Sequence, residues 1–245
     1  MEGQTRAYNF YGRRRGKKLN PSREVLYRCF CPKVRLRPLN DGEIVDPAAL
    51  FPEKRSAVWL EIGFGGGEHL AEQSKRHPDV SFIGAEVYLN GVTSLLAHLT
   101  GTEGTGDVPE DVGLAAGRVD NVRIYDDDAR DLFSHFKDAS FDRVYVLFPD
   151  PWPKKRHADR RFIGPDNLPV LARLLKKGGQ LRVASDDMNY IRWSLRHLMN
   201  DLRFSWTAGT ADDWRKPPAD WVETRYEQKA LKKGAKPVYL TFERV

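Results

Sequence analysis

From residue 57 onward, short apolar runs alternate with stretches whose apolar positions recur at helical spacing. Ala57–Ile62 reads as a strand that runs into glycines, and Glu68–Arg76 reads as a helix. Val80–Val87 is a second apolar run, followed by a helical pattern over Val92–Leu99 with Leu95, Leu96 and Leu99 on one face. Asn121–Tyr125 predicts a third strand, Ala129–Phe136 a helix, and Phe141–Phe148 a fourth strand. Leu168–Leu175 predicts a helix closed by Gly178-Gly179, where glycine would supply a left-handed cap. Gln180–Ala184 predicts a fifth strand and Met188–Met199 a helix, with Arg203–Ala208 and Val238–Arg244 as late strands. Strands alternating with helices in this way predict an α/β fold: a Rossmann-like, doubly wound, mainly parallel seven-stranded sheet with helices on both faces.

Two segments fall outside the alternation. Residues 1–50 show little periodicity and mix arginines with Tyr8, Phe10, Tyr11, Tyr27 and Phe30, which predicts a basic N-terminal extension ahead of a domain over 51–245. Residues 101–118, rich in glycine and poor in apolar pattern, predict a mobile surface insertion. The net charge of +6 is unevenly spread. Residues 1–37 carry eleven Lys/Arg against Glu2 and Glu24, and residues 154–161 carry five against Asp159, which leaves the remainder acidic. Concentrated basic elements on an acidic domain point to a polyanionic partner. The chain is 40% hydrophobic, no apolar run approaches membrane-spanning length, and the polar start lacks a signal-peptide core. The expectation is a cytoplasmic protein with no membrane partner. Cys29 and Cys31 form a C-x-C pair without further ligands nearby, so no metal site is expected and reduced thiols are.

The strongest local signal is Leu60-Glu61-Ile62-Gly63-Phe64-Gly65-Gly66-Gly67, placed after a strand and before a helix. Glycines there permit a tight turn and close approach of a ligand to the backbone. The spacing is G-x-G-x-G rather than the dinucleotide pattern. Glu61 just ahead of it would repel a pyrophosphate but favour a ligand bearing an ammonium and a sulfonium, as S-adenosylmethionine does. Glu86 ends the second strand, where Rossmann-like folds hold a ribose diol. Asp128 follows the third strand and can either meet an adenine amine or cap the next helix.

The fourth strand ends in Phe148-Pro149-Asp150-Pro151-Trp152. Strands one and four flank the switch point of a doubly wound sheet, so Asp150 and the glycine loop should face one crevice. The prolines stiffen a loop that presents one acid and one aromatic, which suits recognition of a nucleobase. Lys154-Lys155-Arg156-His157-Ala158-Asp159-Arg160-Arg161 follows at once, and beside a crevice such a run reads as a phosphate contact surface.

Taken together, the glycine loop, Gly84-Ala85-Glu86, the Pro-Asp-Pro-Trp segment with its downstream Arg156-His157 and Arg160-Arg161, Ala184-Ser185-Asp186, and Thr224-Arg225-Tyr226-Glu227 resemble the bacterial tRNA (guanine-N7-)-methyltransferases, a class I S-adenosylmethionine-dependent family. The resemblance covers roughly residues 55–245, and the Pro-Asp-Pro-Trp segment is its specific part. It implies a tRNA partner methylated on N7 of the variable-loop guanine at position 46, with S-adenosylhomocysteine as by-product. It implies that Glu61, Gly63, Gly65, Glu86, Asp128 and Asp150 line the cofactor site, with Asp150 catalytic. Lys154, Asp186, Thr224, Arg225, Tyr226 and Glu227 would bind substrate, and Arg156, His157, Ala158, Asp159, Arg160 and Arg161 would contact RNA. The residues leave a monomer and a homodimer equally open. Without the resemblance, Asp186 reads as a helix cap and Glu227 as a surface acid.

Guanine N7 has a lone pair and no proton, so its methylation needs no general base. The base becomes cationic, and a carboxylate at its N–H edge would stabilise the transition state more than the ground state. Three other readings compete. Exocyclic-amine methyltransferases carry Asp-Pro-Pro-aromatic, a different residue order. A non-catalytic RNA-binding descendant would have little use for an intact Glu61, Gly63, Gly65 and Glu86. A nicotinamide enzyme is disfavoured by the loop spacing.

Overall fold

The computed structural model describes residues 11–245; Tyr8, Phe10 and the rest of the first ten positions lie outside the described residues. The chain opens with short helices α1 (Pro21–Val25) and α2 (Cys31–Val34), joined by a π-helical turn over Leu26–Phe30. Then follow β1 (Ala57–Ile62), α3 (Glu68–Arg76), β2 (Val80–Ala85), α4 (Leu89–Thr100), β3 (Val122–Tyr125), α5 (Arg130–Phe133) and β4 (Phe141–Leu147). The second half contributes α6 (Leu168–Leu174), β5 (Leu175–Ser185), α7 (Met188–Met199), β6 (Phe204–Trp206), α8 (Asp212–Arg215), α9 (Arg225–Lys232) and β7 (Val238–Arg244).

The seven strands form one sheet in the order β3-β2-β1-β4-β5-β7-β6. All neighbours are parallel except β7, which runs antiparallel to β5 and β6. The predicted α/β, mainly parallel sheet is therefore the observed one. Strand order reverses between β1 and β4, which opens a crevice at their carboxyl ends. One apolar core packs Val58, Leu60, Val144, Val146, Leu181 and Val183 beneath α6 and α7, and a second packs Trp59, Phe82 and Tyr145 with α3 and α4.

The differences from the sequence reading have local causes. Residues 21–36 are a docked element: Leu26, Phe30, Cys31 and Val34 are buried against α4, and Leu36 N–H donates to the Ile124 carbonyl at 2.8 Å along the free edge of β3. Its apolar residues span a short helix with a π turn, which blurs the helical period that would reveal it. Burial pushes the Cys31 thiol up to about 11. The 101–118 stretch is packed in part against the N-terminal element. Val108 and Val112 are buried, Ser22 Oγ donates to the Gly106 carbonyl at 2.8 Å, and Lys33 Nζ donates to the Val112 carbonyl at 2.8 Å. α5 is a single turn rather than the expected Ala129–Phe136 helix. α6 does not end on a glycine cap: Leu175 turns extended to pair with Phe141, and Gly178, at φ +78°, lies in an irregularity of β5 before pairing resumes at Gln180.

Candidate functional site

The crevice at the switch point has a volume of about 1610 Å³ and is lined by Ile62, Gly63, Gly65, Glu86, Tyr88, Asp128, Asp150, Trp152, Arg160 and Tyr226, among others. Small-molecule pockets commonly span roughly 300–1,000 Å³, so a nucleoside-sized ligand would leave room for a second group.

The glycine loop forms its floor. Gly63, Gly65 and Gly67 all have left-handed φ values, of 71°, 57° and 80°. Beside Gly63 there is open space: a Cβ built there meets nothing within 4 Å. Gly91 of α4 approaches so closely that a Cβ would stand 2.2 Å from the Gly65 carbonyl oxygen. The loop is thus held by α4 and open at Gly63, while the Tyr226 ring covers Gly65, which leaves backbone accessible to a ligand beside Gly63.

Glu86 directly follows β2, and it also shapes the loop. Its carboxylate accepts from Gly65 N–H at 2.7 Å and from Tyr88 N–H at 2.8 Å. Burial raises its pKa above the ordinary carboxylate range, with Asp150 across the crevice adding to the rise. The Tyr226 hydroxyl is pushed up by burial and then by Glu86. Glu86 and Asp150 thus place two acids on one crevice.

Glu61 is not brought into the crevice. It alternates with Ile62 along β1, so Ile62 faces the crevice while Glu61, 3% exposed, points to the other side. There it pairs with His69 Nδ1 at 2.7 Å, beneath the rings of Tyr145 and Trp221. The acids of the Asp126–Asp128 run are each engaged. Asp126 accepts from Tyr27 and Arg35, both at 2.7 Å, and Asp127 pairs with Arg14 at 2.7 Å. Asp128 lines the crevice, but its oxygens accept from the Arg130 backbone N–H and guanidinium.

On the opposite wall, Asp150 is exposed in the crevice. Its loop departs from ordinary backbone geometry on both sides: Phe148 has φ 48° and Trp152 φ 43°, neither being glycine. Such conformations cost on the order of 1–3 kcal/mol each and persist only where the surroundings enforce them. Arg161 is the enforcing residue. Only 9% exposed, it donates through Nε to the Pro151 carbonyl at 2.9 Å and through Nη2 to the Trp152 carbonyl at 3.1 Å, with its guanidinium over Trp193. The basic run is thus divided. Lys154, Lys155 and Arg156 are exposed, whereas Arg160 lies over the Tyr11 and Trp152 rings and Arg161 is a largely buried clamp whose guanidinium is engaged by the loop carbonyls. His157, Ala158 and Asp159 complete the 3-10 turn over Lys155–Arg160, with His157 edge-on to Trp152.

Asp186 is exposed beyond β5, and the cap of α7 is its neighbour Asp187, which accepts from Asn189 and Tyr190 N–H. Thr224 and Glu227 form a capping box at the start of α9 and are both buried. Glu227 also accepts from Trp221 Nε1 at 2.7 Å and from the Tyr239 hydroxyl. Of that tetrad only Tyr226 enters the crevice, packed on Gly65, while Arg225 reaches Glu68 at 3.5 Å. Tyr88 and Tyr11 also line the crevice. The sequence offered no signal for Tyr88, and showed Tyr11 only as one aromatic among arginines.

Residues 55–240 match the family model described as "Putative methyltransferase". The chain is 48% identical over 245 residues to the tRNA (guanine-N(7)-)-methyltransferase of Rhodospirillum rubrum, covering 99% of this chain and 90% of that one. It is 46% identical to the protein of the same name from Paramagnetospirillum magneticum (96% and 92% covered) and 44% identical to that from Roseobacter denitrificans (100% of both). Among solved structures, the 16S rRNA methyltransferase KamB superposes with a TM-score of 0.57 at 12% identity, over 86% of this chain and 99% of that one, a likeness of fold. At these identities over nearly its whole length, the chain belongs to the tRNA (guanine-N7-)-methyltransferase family.

Proposed function

We propose that this protein transfers the methyl group of S-adenosylmethionine to N7 of a guanine in tRNA, the variable-loop guanine at position 46. The observation that carries the reading is Asp150, a carboxylate on a strained, proline-flanked loop, facing the glycine loop, open at Gly63, across the strand-order reversal. The relatives' names support tRNA as substrate and guanine N7 as acceptor.

The residues fit the cofactor. A crevice lined by Glu86 and Asp150 suits a ligand carrying an ammonium and a sulfonium, and the open side of Gly63 leaves room against the backbone. Gly63 and Gly65 would hold its amino-acid arm, Glu86 its ribose, and the Asp128 side of the crevice its base. S-adenosylmethionine supplies an electrophilic methyl. Asp150 accepts from the guanine N–H edge, and its charge is most favourable as the ring becomes cationic. Trp152 provides the aromatic face beside it. Glu61 acts from behind the loop, through His69, rather than as a direct ligand. Lys154 and Asp186, both exposed, would meet substrate directly, whereas Thr224 and Glu227 would act by setting Tyr226 and Arg225.

The basic surface supports a polyanionic substrate. Arg13, Arg15, Lys17 and Lys18 are exposed along a segment held at the crevice edge, where Gly16 N–H donates to Asn90 Oδ1 and Asn90 Nδ2 donates to the Lys17 carbonyl. Lys154, Lys155 and Arg156 stand on the loop that carries Asp150. Replacing these last three with alanine should flatten the salt dependence of tRNA binding, by about 0.7–0.9 in log–log slope for each phosphate no longer neutralised. Arg161→Ala should leave that slope unchanged while lowering the melting temperature and turnover, because it releases the Asp150 loop. Equal slope changes in the two variants would return Arg161 to the RNA surface. The reading as a whole is tested by incubating bulk tRNA with labelled cofactor and identifying the product. Label at N7-methylguanosine of position 46 supports it; label on an exocyclic amine, or none, overturns it.

A further inference from the structure

Central strands of a parallel sheet are normally apolar on both faces. Here one face is not. By register, Trp59 and Glu61 of β1, Arg143 and Tyr145 of β4, and Arg182 of β5 share a side. Among the described residues, His69 of α3 packs on Glu61 and Tyr145, and beside it an irregular segment over residues 216–224, leading into α9, meets Arg143 and Arg182.

That segment is held by Trp221, packed against the second core, and by polar contacts converging on Asp220. Its carboxylate accepts from Arg182 Nη1 at 2.7 and 2.9 Å and from Arg143 Nη1 at 2.9 Å. Its backbone carbonyl accepts from Gln73 Nε2 at 2.7 Å, which ties the segment to α3 behind the glycine loop. The adjacent Trp221 packs edge-on to Tyr239 and donates to Glu227, whose capping box starts α9. Tyr226, the second residue of α9, ends this chain of contacts. Its ring lies so close to Gly65 that a Cβ there would stand 2.8 Å from its Cε2.

We infer that Asp220 is a positioning residue: through Arg143 and Arg182 it anchors the segment that seats Tyr226 against the glycine loop. This rests on the reading of the crevice as the S-adenosylmethionine site. Neutralising Asp220 leaves two guanidinium groups side by side with no counter-charge, so the segment lifts. Asp220 is itself one-third exposed, so its loss loosens the cover without opening either apolar core.

The test is a double-mutant cycle on cofactor affinity, read by calorimetric titration of S-adenosylmethionine. Asp220→Asn should weaken binding by about tenfold. In a Tyr226→Ala background the same substitution should have little further effect, since the residue through which it acts is gone. Arg182→Gln, which keeps the Arg143 pair, should give an intermediate loss, and Asp220→Glu should restore part of it. In Asp220→Asn alone, affinity for tRNA and the single-turnover rate at saturating cofactor should stay at the wild-type level, so the loss appears in KM and not in kcat. A folded Asp220→Asn protein with wild-type cofactor affinity overturns the inference. So does an equal, additive loss with and without Tyr226, which would mark Asp220 as purely structural. Wild-type protein that binds no S-adenosylmethionine overturns the cofactor reading as well, so the two failures are distinct.

Discussion

Asp150→Ala should lower the single-turnover methylation rate by about 100- to 1000-fold at saturating tRNA and cofactor, the usual cost of removing one preorganised electrostatic interaction. The affinity for tRNA should barely change. The geometry gives the reason. Asp150 is exposed in the crevice, between two residues held at positive φ, on a loop whose Pro151 and Trp152 carbonyls are bonded by a buried arginine. A loop held in strained geometry positions its carboxylate before the substrate arrives, so little reorganisation is needed as charge develops. Asp150→Asn should be nearly as poor, because an amide keeps an acceptor but loses the charge. Single-turnover kinetics separates this step from binding. A variant that loses tRNA affinity yet methylates normally once saturated would make Asp150 a docking residue. Normal rates in the Asn variant alone would mean that hydrogen-bond acceptance suffices.

Glu86→Gln should weaken S-adenosylmethionine binding on the order of 10- to 100-fold, the equivalent of losing a hydrogen bond to a charged group. Both carboxylate oxygens accept from backbone N–H groups, of Gly65 and Tyr88. An amide would place its NH2 against one of those donors, and the loop would lose its shape together with the ribose ligand. Calorimetry on the folded variant decides: an unchanged affinity removes Glu86 from the site. A pH signature accompanies it. Burial raises the Glu86 pKa, so the folded state binds the proton more tightly than the unfolded chain does. The stability this confers is complete below the unfolded pKa and is lost as pH rises through the folded one. Glutamine does not titrate, so the stability of wild-type relative to variant should fall with rising pH across the acidic range. A difference that stays flat would show that Glu86 is not perturbed by burial.

Much of the architecture was legible in the chain because its signals are local. The alternation of apolar runs and amphipathic helices names the doubly wound sheet, and the boundaries of α3, α7 and β7 coincide with their sequence periods. The glycine loop and the Pro-Asp-Pro-Trp turn are visible for the same reason: each is a backbone requirement written in consecutive residues. Asp150 and Glu86 could be placed in one crevice because strand ends at a switch point converge whatever the details of packing.

What only the tertiary structure decided is which way each polar side chain is spoken for. Glu61 and Ile62 are neighbours in sequence, yet the alternation of β1 sends one to His69 and the other to the crevice. Arg156 and Arg161 belong to one basic run, yet the first is exposed and the second is buried under the loop it holds. Glu227 reads as a surface acid until a capping box, Trp221 and Tyr239 enclose it, leaving it 2% exposed. Asp220 carries no motif at all, and its role depends on arginines from two strands meeting 38 and 77 residues away along the chain. The physical reason is common to all four. A charged side chain reads alike in sequence whether solvent or a buried partner satisfies it, and long-range folding alone supplies that partner.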